Sequence, residues 1–135
     1  MTSVRIERET NGTYTARNER GAEIRLGGGE SVFSPVELLL AAIGGCTAID
    51  VDVVTSRRAE PDSFAVDVTA EKVKDETGNR LKDITVTFRI AFPEGDAGDA
   101  ARAILPDIVR KSHDRLCTVS RTVERGTPVS SVIAP

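Results

Sequence analysis

Ser34-Pro35-Val36-Glu37-Leu38-Leu39-Leu40-Ala41-Ala42-Ile43-Gly44-Gly45-Cys46-Thr47-Ala48-Ile49-Asp50-Val51 is the stretch on which the fold turns. Its opening fits a helix start, with Ser34 at the N-cap, Pro35 at the first helical position and Glu37 placed to reach back as a capping box. The helix is expected to run to about Arg57 or Arg58, whose charges suit a carboxyl end, with Pro61 beyond. Its first half is apolar nearly all round, the pattern of a helix covered on several sides. A domain of 135 residues and 14.5 kDa rarely buries such a helix alone, so a homodimer is expected. Each Gly inside a helix costs about 1 kcal/mol relative to Ala. The pair Gly44-Gly45 therefore implies a close backbone approach, by another helix or by a ligand.

Outward from this helix the periodicity changes. On the amino-terminal side, Val4 and Ile6 alternate with Arg5 and Glu7, Asn11-Gly12 signals a turn, and Tyr14 and Ala16 alternate with Thr13, Thr15 and Arg17. Ile24 and Leu26 alternate with Glu23 and Arg25 before the loop Gly27-Gly28-Gly29, which lacks the Lys-Ser/Thr of a phosphate-binding loop. On the carboxyl side, Phe64, Val66, Val68 and Ala70, then Ile84, Val86, Phe88, Ile90 and Phe92, mark a half-buried antiparallel hairpin turning at Asp75–Asn79. Helical spacing from Ala97 to about His113 contains Pro106, expected to kink or split it. A short helix from about Cys117 to Glu124 closes at Gly126, and Thr127 to Ile133 alternates as a final strand. The order gives an α+β fold in a single domain over residues 1–135, without repeat or linker.

Composition narrows the function classes. Net charge −3 and an absence of clustered Lys and Arg argue against nucleic acid, and aromatics at 4% with no Trp leave no stacking platform. No membrane-length apolar stretch and no signal-peptide pattern is read, so the expectation is a cytoplasmic protein in which a permanent disulfide is disfavoured. No cofactor motif is found. Two Cys and one His make zinc conceivable, but none of the close ligand spacings is present.

The chemistry-bearing candidates are the two cysteines, Cys46 and Cys117. Each can be a small core residue or a redox thiol. Cys117 falls at a helix amino terminus, where backbone N–H groups favour a thiolate, with Arg115 and Arg121 close in sequence. Cys46 lies about three turns into its helix, with Asp50 one turn on opposing ionisation. On these grounds Cys46 is the poorer nucleophile unless a cation reaches it, and Arg25 is one candidate. His113 is either a helix-end charge or a base for Cys117; Ser112-His113-Asp114 are too near in sequence to form a hydrolytic triad.

The segment Ser34–Val51, together with Lys111-Ser112-His113-Asp114-Arg115-Leu116-Cys117-Thr118-Val119-Ser120-Arg121-Thr122, resembles the two cysteine motifs of the OsmC/Ohr family. Their separation and the β-β-β-α-β-β-α-α-β order are similar too, so the likeness spans nearly the whole chain. The wording Gly44-Gly45-Cys46-Thr47-Ala48-Ile49-Asp50 is nearest the YhfA-like branch. The resemblance implies an intertwined homodimer with the cysteine helices central, and thiol-dependent reduction of organic hydroperoxides or peroxide in stress defence. Cys46 would attack the peroxide and become a sulfenic acid; Cys117 would resolve it to a disulfide, reopened by a dithiol, often lipoyl-based. The family places an arginine against the first thiolate, and Arg25 most nearly matches it, with Arg5, Arg17 and Arg20 as alternatives. The sequence departs from the pattern at Val36, where the Ohr branch carries a glutamate that holds the arginine.

Three functions follow from this reading. One is a two-cysteine peroxidase acting on hydrophobic hydroperoxides in an apolar dimer-interface pocket lined in part by Leu39, Leu40 and Ile43. Another is a protein that binds an apolar ligand without turnover. The last is a hydrolase or acyl carrier using Cys117 with His113.

Overall fold

The computed structural model describes residues 1–135 as a mixed α+β protein with two antiparallel sheets and three helices. Contacts divide the chain into two compact units, Met1–Ala41 and Ala42–Pro135, with the division inside the first helix.

In the first unit, β1 (Val4–Thr10), β2 (Thr13–Asn18) and β3 (Glu23–Gly27) form an antiparallel meander in the order β1-β2-β3. The register pairs Ile6 with Ala16 and Ala16 with Ile24, so the apolar residues share one face. The other face carries ion pairs: Arg17 bridges Glu7 and Glu23 at 2.8 and 2.6 Å. The apolar face is poorly covered, with Val4, Ile6 and Ile24 each about half exposed or more. Helix α1 (Pro35–Thr55) then starts as the sequence dictates. The Ser34 N–H donates to Glu37 Oε1 at 2.8 Å, and the Glu37 N–H donates to Ser34 Oγ at 3.1 Å.

The second unit holds the rest of α1, the hairpin β4 (Ser63–Asp75) and β5 (Gly78–Ala91), α2 (Asp96–Lys111), a π-helical turn at Ser112–Leu116, and α3 (Thr118–Arg125). Alternate residues of β4 and β5 are half-buried, from Phe64 to Val68 and from Ile84 to Ile90. Of α1, only Ile43, Gly44, Thr47, Val51 and Thr55 are buried, a stripe at four-residue spacing. A Cβ on Gly44 would stand 2.5 Å from Val68 Cγ2, so this glycine lets the helix lie on strand β4. The close approach is thus helix to sheet, and Gly45 faces open space with nothing within 4 Å, so neither expected reading of the pair applies within one chain. Ala59, Phe92 and Ala101, backed by Ile90 and Leu105, form a separate small cluster under α2.

Several sequence expectations need correction. Helix α1 ends at Thr55, and Arg58 acts on that end by donating to the Val54 carbonyl at 3.1 Å. Pro106 does not split α2, because the helix continues to Lys111. Residues 127–135 form no strand: their alternation finds no sheet edge in this chain, and Val129, Val132 and Ile133 are at least 90% exposed. By length and composition α1, with 21 residues, is also apolar enough to cross a membrane, although Ile43, Gly44, Thr47, Val51 and Thr55 along it are buried within the protein.

Candidate functional site

Two helices of the second unit bring the cysteines together. Cys46 sits on α1, half-buried, one residue before the buried Thr47. The π-helical turn closes with the Cys117 N–H donating to the Ser112 carbonyl at 2.8 Å, which sets Cys117 in an extended conformation as the N-cap of α3. Its sulfur accepts the Ser120 N–H and its S–H donates to Ser120 Oγ, each at 3.3 Å. A short polar N-cap residue accepting from the third helical N–H is a common device, here performed by a thiol. Cys117 has no exposed surface. Gly126 ends α3 in the left-handed region at φ 65°, as its sequence position predicts.

Both cysteines are free, and they lie close enough that each enters the other's ionisation. Burial pushes the Cys46 thiol up, as do Cys117 and the Asp50 carboxylate, while the Val119 N–H opposes them. Cys117 is also pushed up by burial, but the Ser120 hydroxyl and N–H, Cys46 and the same Val119 N–H outweigh it and leave the thiol below its ordinary value. The Val119 N–H favours the charged form of both thiols, and Cys117 caps the first turn of α3, where unpaired backbone donors favour negative charge.

Beside the thiols runs a polar chain that sequence reasoning missed. Ser112 Oγ donates to Asp50 Oδ2 at 2.7 Å and therefore accepts from Thr47 Oγ1 at 2.9 Å. Thr47 and Ser112 are buried, and no buried side-chain N or O atom in the protein lacks a partner. The available signal was Asp50 one turn after Cys46; its serine partner, 62 residues away, had none. His113 makes no hydrogen bond to Cys117. Its Nδ1 contacts Asp114 Oδ1 at 2.9 Å and its Nε2 contacts Glu124 Oε1 at 2.7 Å, which raises its pKa and ties the π-helical turn to α3. Both ring nitrogens are occupied, so the expected role as a base for Cys117 is not supported by the geometry.

An apolar cavity of about 350 Å³ adjoins this centre, walled by Ile43, Ile84, Val86, Phe88, Val109 and Val123. Thr47 and Ser120, neighbours of the two thiols, also line it. Ile43, expected to line a dimer-interface pocket, lines this cavity within one chain. Arg25 is a residue of the amino-terminal sheet, where Glu9 Oε2 holds its Nη2 and Nε at 3.1 and 3.2 Å. Arg121 donates to the Asp114 carbonyl at 3.0 Å, so its guanidinium is engaged at the π-helical turn. No three His, Cys, Asp or Glu residues gather into a metal-holding cluster.

A buried thiol at a helix N-cap, close to a half-buried thiol on a long apolar helix laid on a two-stranded hairpin, defines the class. The sequence model of the OsmC family (OsmC-like protein) matches residues 27–132, and the chain belongs to that family. It is 29% identical to an uncharacterized protein of Mycobacterium tuberculosis, Rv2923c, over 96% of this chain and 94% of that protein. It is 28% identical to protein YhfA of Escherichia coli, over 87% and 86%. An OsmC-like protein of unknown function from Vibrio cholerae shares the fold at TM-score 0.75 and 14% identity, covering 92% of this chain and 94% of that one. Organic hydroperoxide resistance proteins of Elizabethkingia anophelis and Bacillus subtilis share it at TM-scores 0.58 and 0.54, with 15% and 18% identity. These likenesses, below 25% identity, show the fold alone.

Proposed function

We propose that the chain is a single OsmC-like domain over residues 1–135 that reduces hydrophobic hydroperoxides through Cys46 and Cys117. The observation that carries this reading is the asymmetry of the pair: Cys46 is partly exposed, whereas the adjacent Cys117 is fully buried and more acidic. A peroxide reaches Cys46 first. The Cys46 thiolate attacks one peroxide oxygen, the O–O bond breaks, the alkoxide takes a proton to leave as an alcohol, and Cys46 becomes a sulfenic acid. The Cys117 thiolate then attacks the Cys46 sulfur and expels hydroxide, which is protonated to water, and a disulfide forms. A dithiol, of lipoyl type in the family reading, restores both thiols by exchange and is itself oxidised. The apolar cavity offers room for the organic part of the substrate.

The electrostatics of Cys46 within one chain oppose its ionisation, so the reading requires a cation, for which Arg25 remains the candidate. It also includes a cytoplasmic homodimer. The uncovered apolar residues of β1 and β3, and of α1 at Val36, Leu39, Ile49 and Val53, supply the kind of surface a second copy buries. A stoichiometric titration with cumene hydroperoxide, followed by thiol counting, tests the cycle. Two thiols should disappear per peroxide in the wild type, Cys46→Ser should consume none, and Cys117→Ser should stop at a trappable sulfenic acid. Undiminished consumption by Cys46→Ser removes the proposal.

The cavity also favours a second reading, in which an apolar ligand binds without turnover. A fatty-acid-sized ligand would then raise the melting temperature equally in the wild type and in the variant lacking both thiols.

A further inference from the structure

Helix α3 serves two different concavities. Ser120, Val123 and Glu124 line the apolar cavity, whereas Thr118, Arg121, Thr122 and Arg125, with Arg115 and Thr127, line a separate surface hollow of about 250 Å³. That hollow contains three guanidiniums and three threonines and no carboxylate. Most arginines on the rest of the hairpin and α2 sit on acids: Arg80 on Asp75, Arg89 on Asp67, Arg102 on Asp99 and Arg110 on Asp107. Here Arg115 and Arg125 have no acidic partner within 4.0 Å, and Arg121 bonds only a backbone carbonyl. Residues 110–125 hold five Lys or Arg against two Asp or Glu, a basic segment in a chain of net charge −3. Asp114 and Glu124 line an adjoining hollow with Arg121 and Arg125, and Asp107 and Asp114 another with Arg115, yet none of these acids lines this hollow, whose excess positive charge an outside anion would offset.

We propose that this hollow binds the phosphate groups of a small phosphorylated ligand. Arginine forks match tetrahedral oxyanions through paired N–H donors, and the Thr118 hydroxyl adds a further donor. Thr122 contributes shape only, because its hydroxyl already donates to the Thr118 carbonyl at 2.7 Å. The hollow of about 250 Å³ has room for a pyrophosphate. With no Trp and 4% aromatics the chain offers no stacking surface, which favours a small molecule over a nucleic acid. The site includes neither thiol and stands apart from the redox reading.

Calorimetric titration of the full chain with sodium pyrophosphate, with potassium chloride at matched ionic strength as control, tests this. The expected result is saturable one-site binding, with amide NMR shifts centred on residues 115–127 and no saturation in chloride. Arg115→Gln and Arg125→Gln, which break no hydrogen bond within the protein, should each weaken binding by about ten-fold or more. Arg110→Gln, whose guanidinium is already paired with Asp107, should stay within about two-fold of wild type. Equal affinity in the Arg115 and Arg125 variants, shifts reproduced by chloride, or binding to single-stranded DNA but not to pyrophosphate would each overturn the proposal.

Discussion

Gly44 gives the sharpest test of how the helix meets the hairpin. A Gly44→Ala substitution gains about 1 kcal/mol from helix propensity. Against that, the new methyl would lie 2.5 Å from Val68 Cγ2, roughly an ångström inside ordinary contact, and 3.6 Å from Val66 Cγ1. Val68 is β-branched and sits on a strand, so its methyl retreats only by a rotamer change or a backbone shift. Overpacking of this kind costs about 1–3 kcal/mol, so the net effect is a loss of about 0–2 kcal/mol. Val68→Ala alone leaves a space and costs about 1–2 kcal/mol for a half-buried valine. In the double variant the alanine methyl occupies that space, so the two losses should fall short of adding by about 1 kcal/mol or more. Urea denaturation at fixed protein concentration measures all four species, with the concentration held constant because self-association would shift every midpoint. Strict additivity, or a Gly44→Ala protein more stable than wild type, refutes the packing argument.

Other consequences follow from the polar groups around the thiols. Ser112→Ala strands the Thr47 hydroxyl and removes a donor from Asp50, and should cost about 1–3 kcal/mol by the same denaturation assay. Asp50→Asn removes a like charge beside Cys46 while keeping an acceptor for Ser112, so the pH midpoint for iodoacetamide labelling of Cys46 should move down; an upward move would contradict the electrostatics. Ser120→Ala deletes the leading stabiliser of the Cys117 thiolate, and the midpoint of the Cys117 Cβ NMR titration should rise. His113 has a folded pKa raised above 6.5, so its contribution is fully present below that pH and is lost as pH climbs through the raised value. With the ring 59% exposed it is worth under about 1 kcal/mol, and the gap between wild type and His113→Gln should shrink from pH 6 to pH 9, not widen.

Local signals survived intact from sequence to structure, and long-range ones did not. The capping box at Ser34 and Glu37, the alternation of Phe64 to Ala70 and the stop at Gly126 each depend on residues within a few positions, so they were legible. The Cys117 environment was half legible: the helix end was visible, but Ser120 as its partner was not singled out. The chain from Thr47 through Ser112 to Asp50 had no sequence trace, because its members lie 62 and 65 residues apart. The end region 127–135 failed for another reason. Alternation states that a segment can be a strand, but only an available sheet edge makes it one. Gly44-Gly45 signals a close approach without naming the neighbour, and the surface near Gly44 is Val68 on β4, a distinction that spacing along one helix cannot make.

The opposed acidities of the two thiols need not conflict with Cys46 as the site of attack. Three steps of the proposed cycle place different demands on the pair. Attack on peroxide needs an accessible sulfur, which favours Cys46 over the fully buried Cys117. Resolution needs a thiolate already formed next to the sulfenic acid, which favours the more acidic Cys117. Reductive opening is fastest when the incoming thiol strikes the reachable sulfur and expels the lower-pKa one, which again directs the reductant to Cys46 with Cys117 as leaving group. Only the first step is penalised by the raised Cys46 pKa, and a cation is needed there alone. Arg25→Gln should therefore slow peroxide consumption while leaving the rate at which a preformed Cys46–Cys117 disulfide is reduced by dihydrolipoamide unchanged. Equal loss in both half-reactions would show that the residue supports the fold, and no loss in either would remove it from the site.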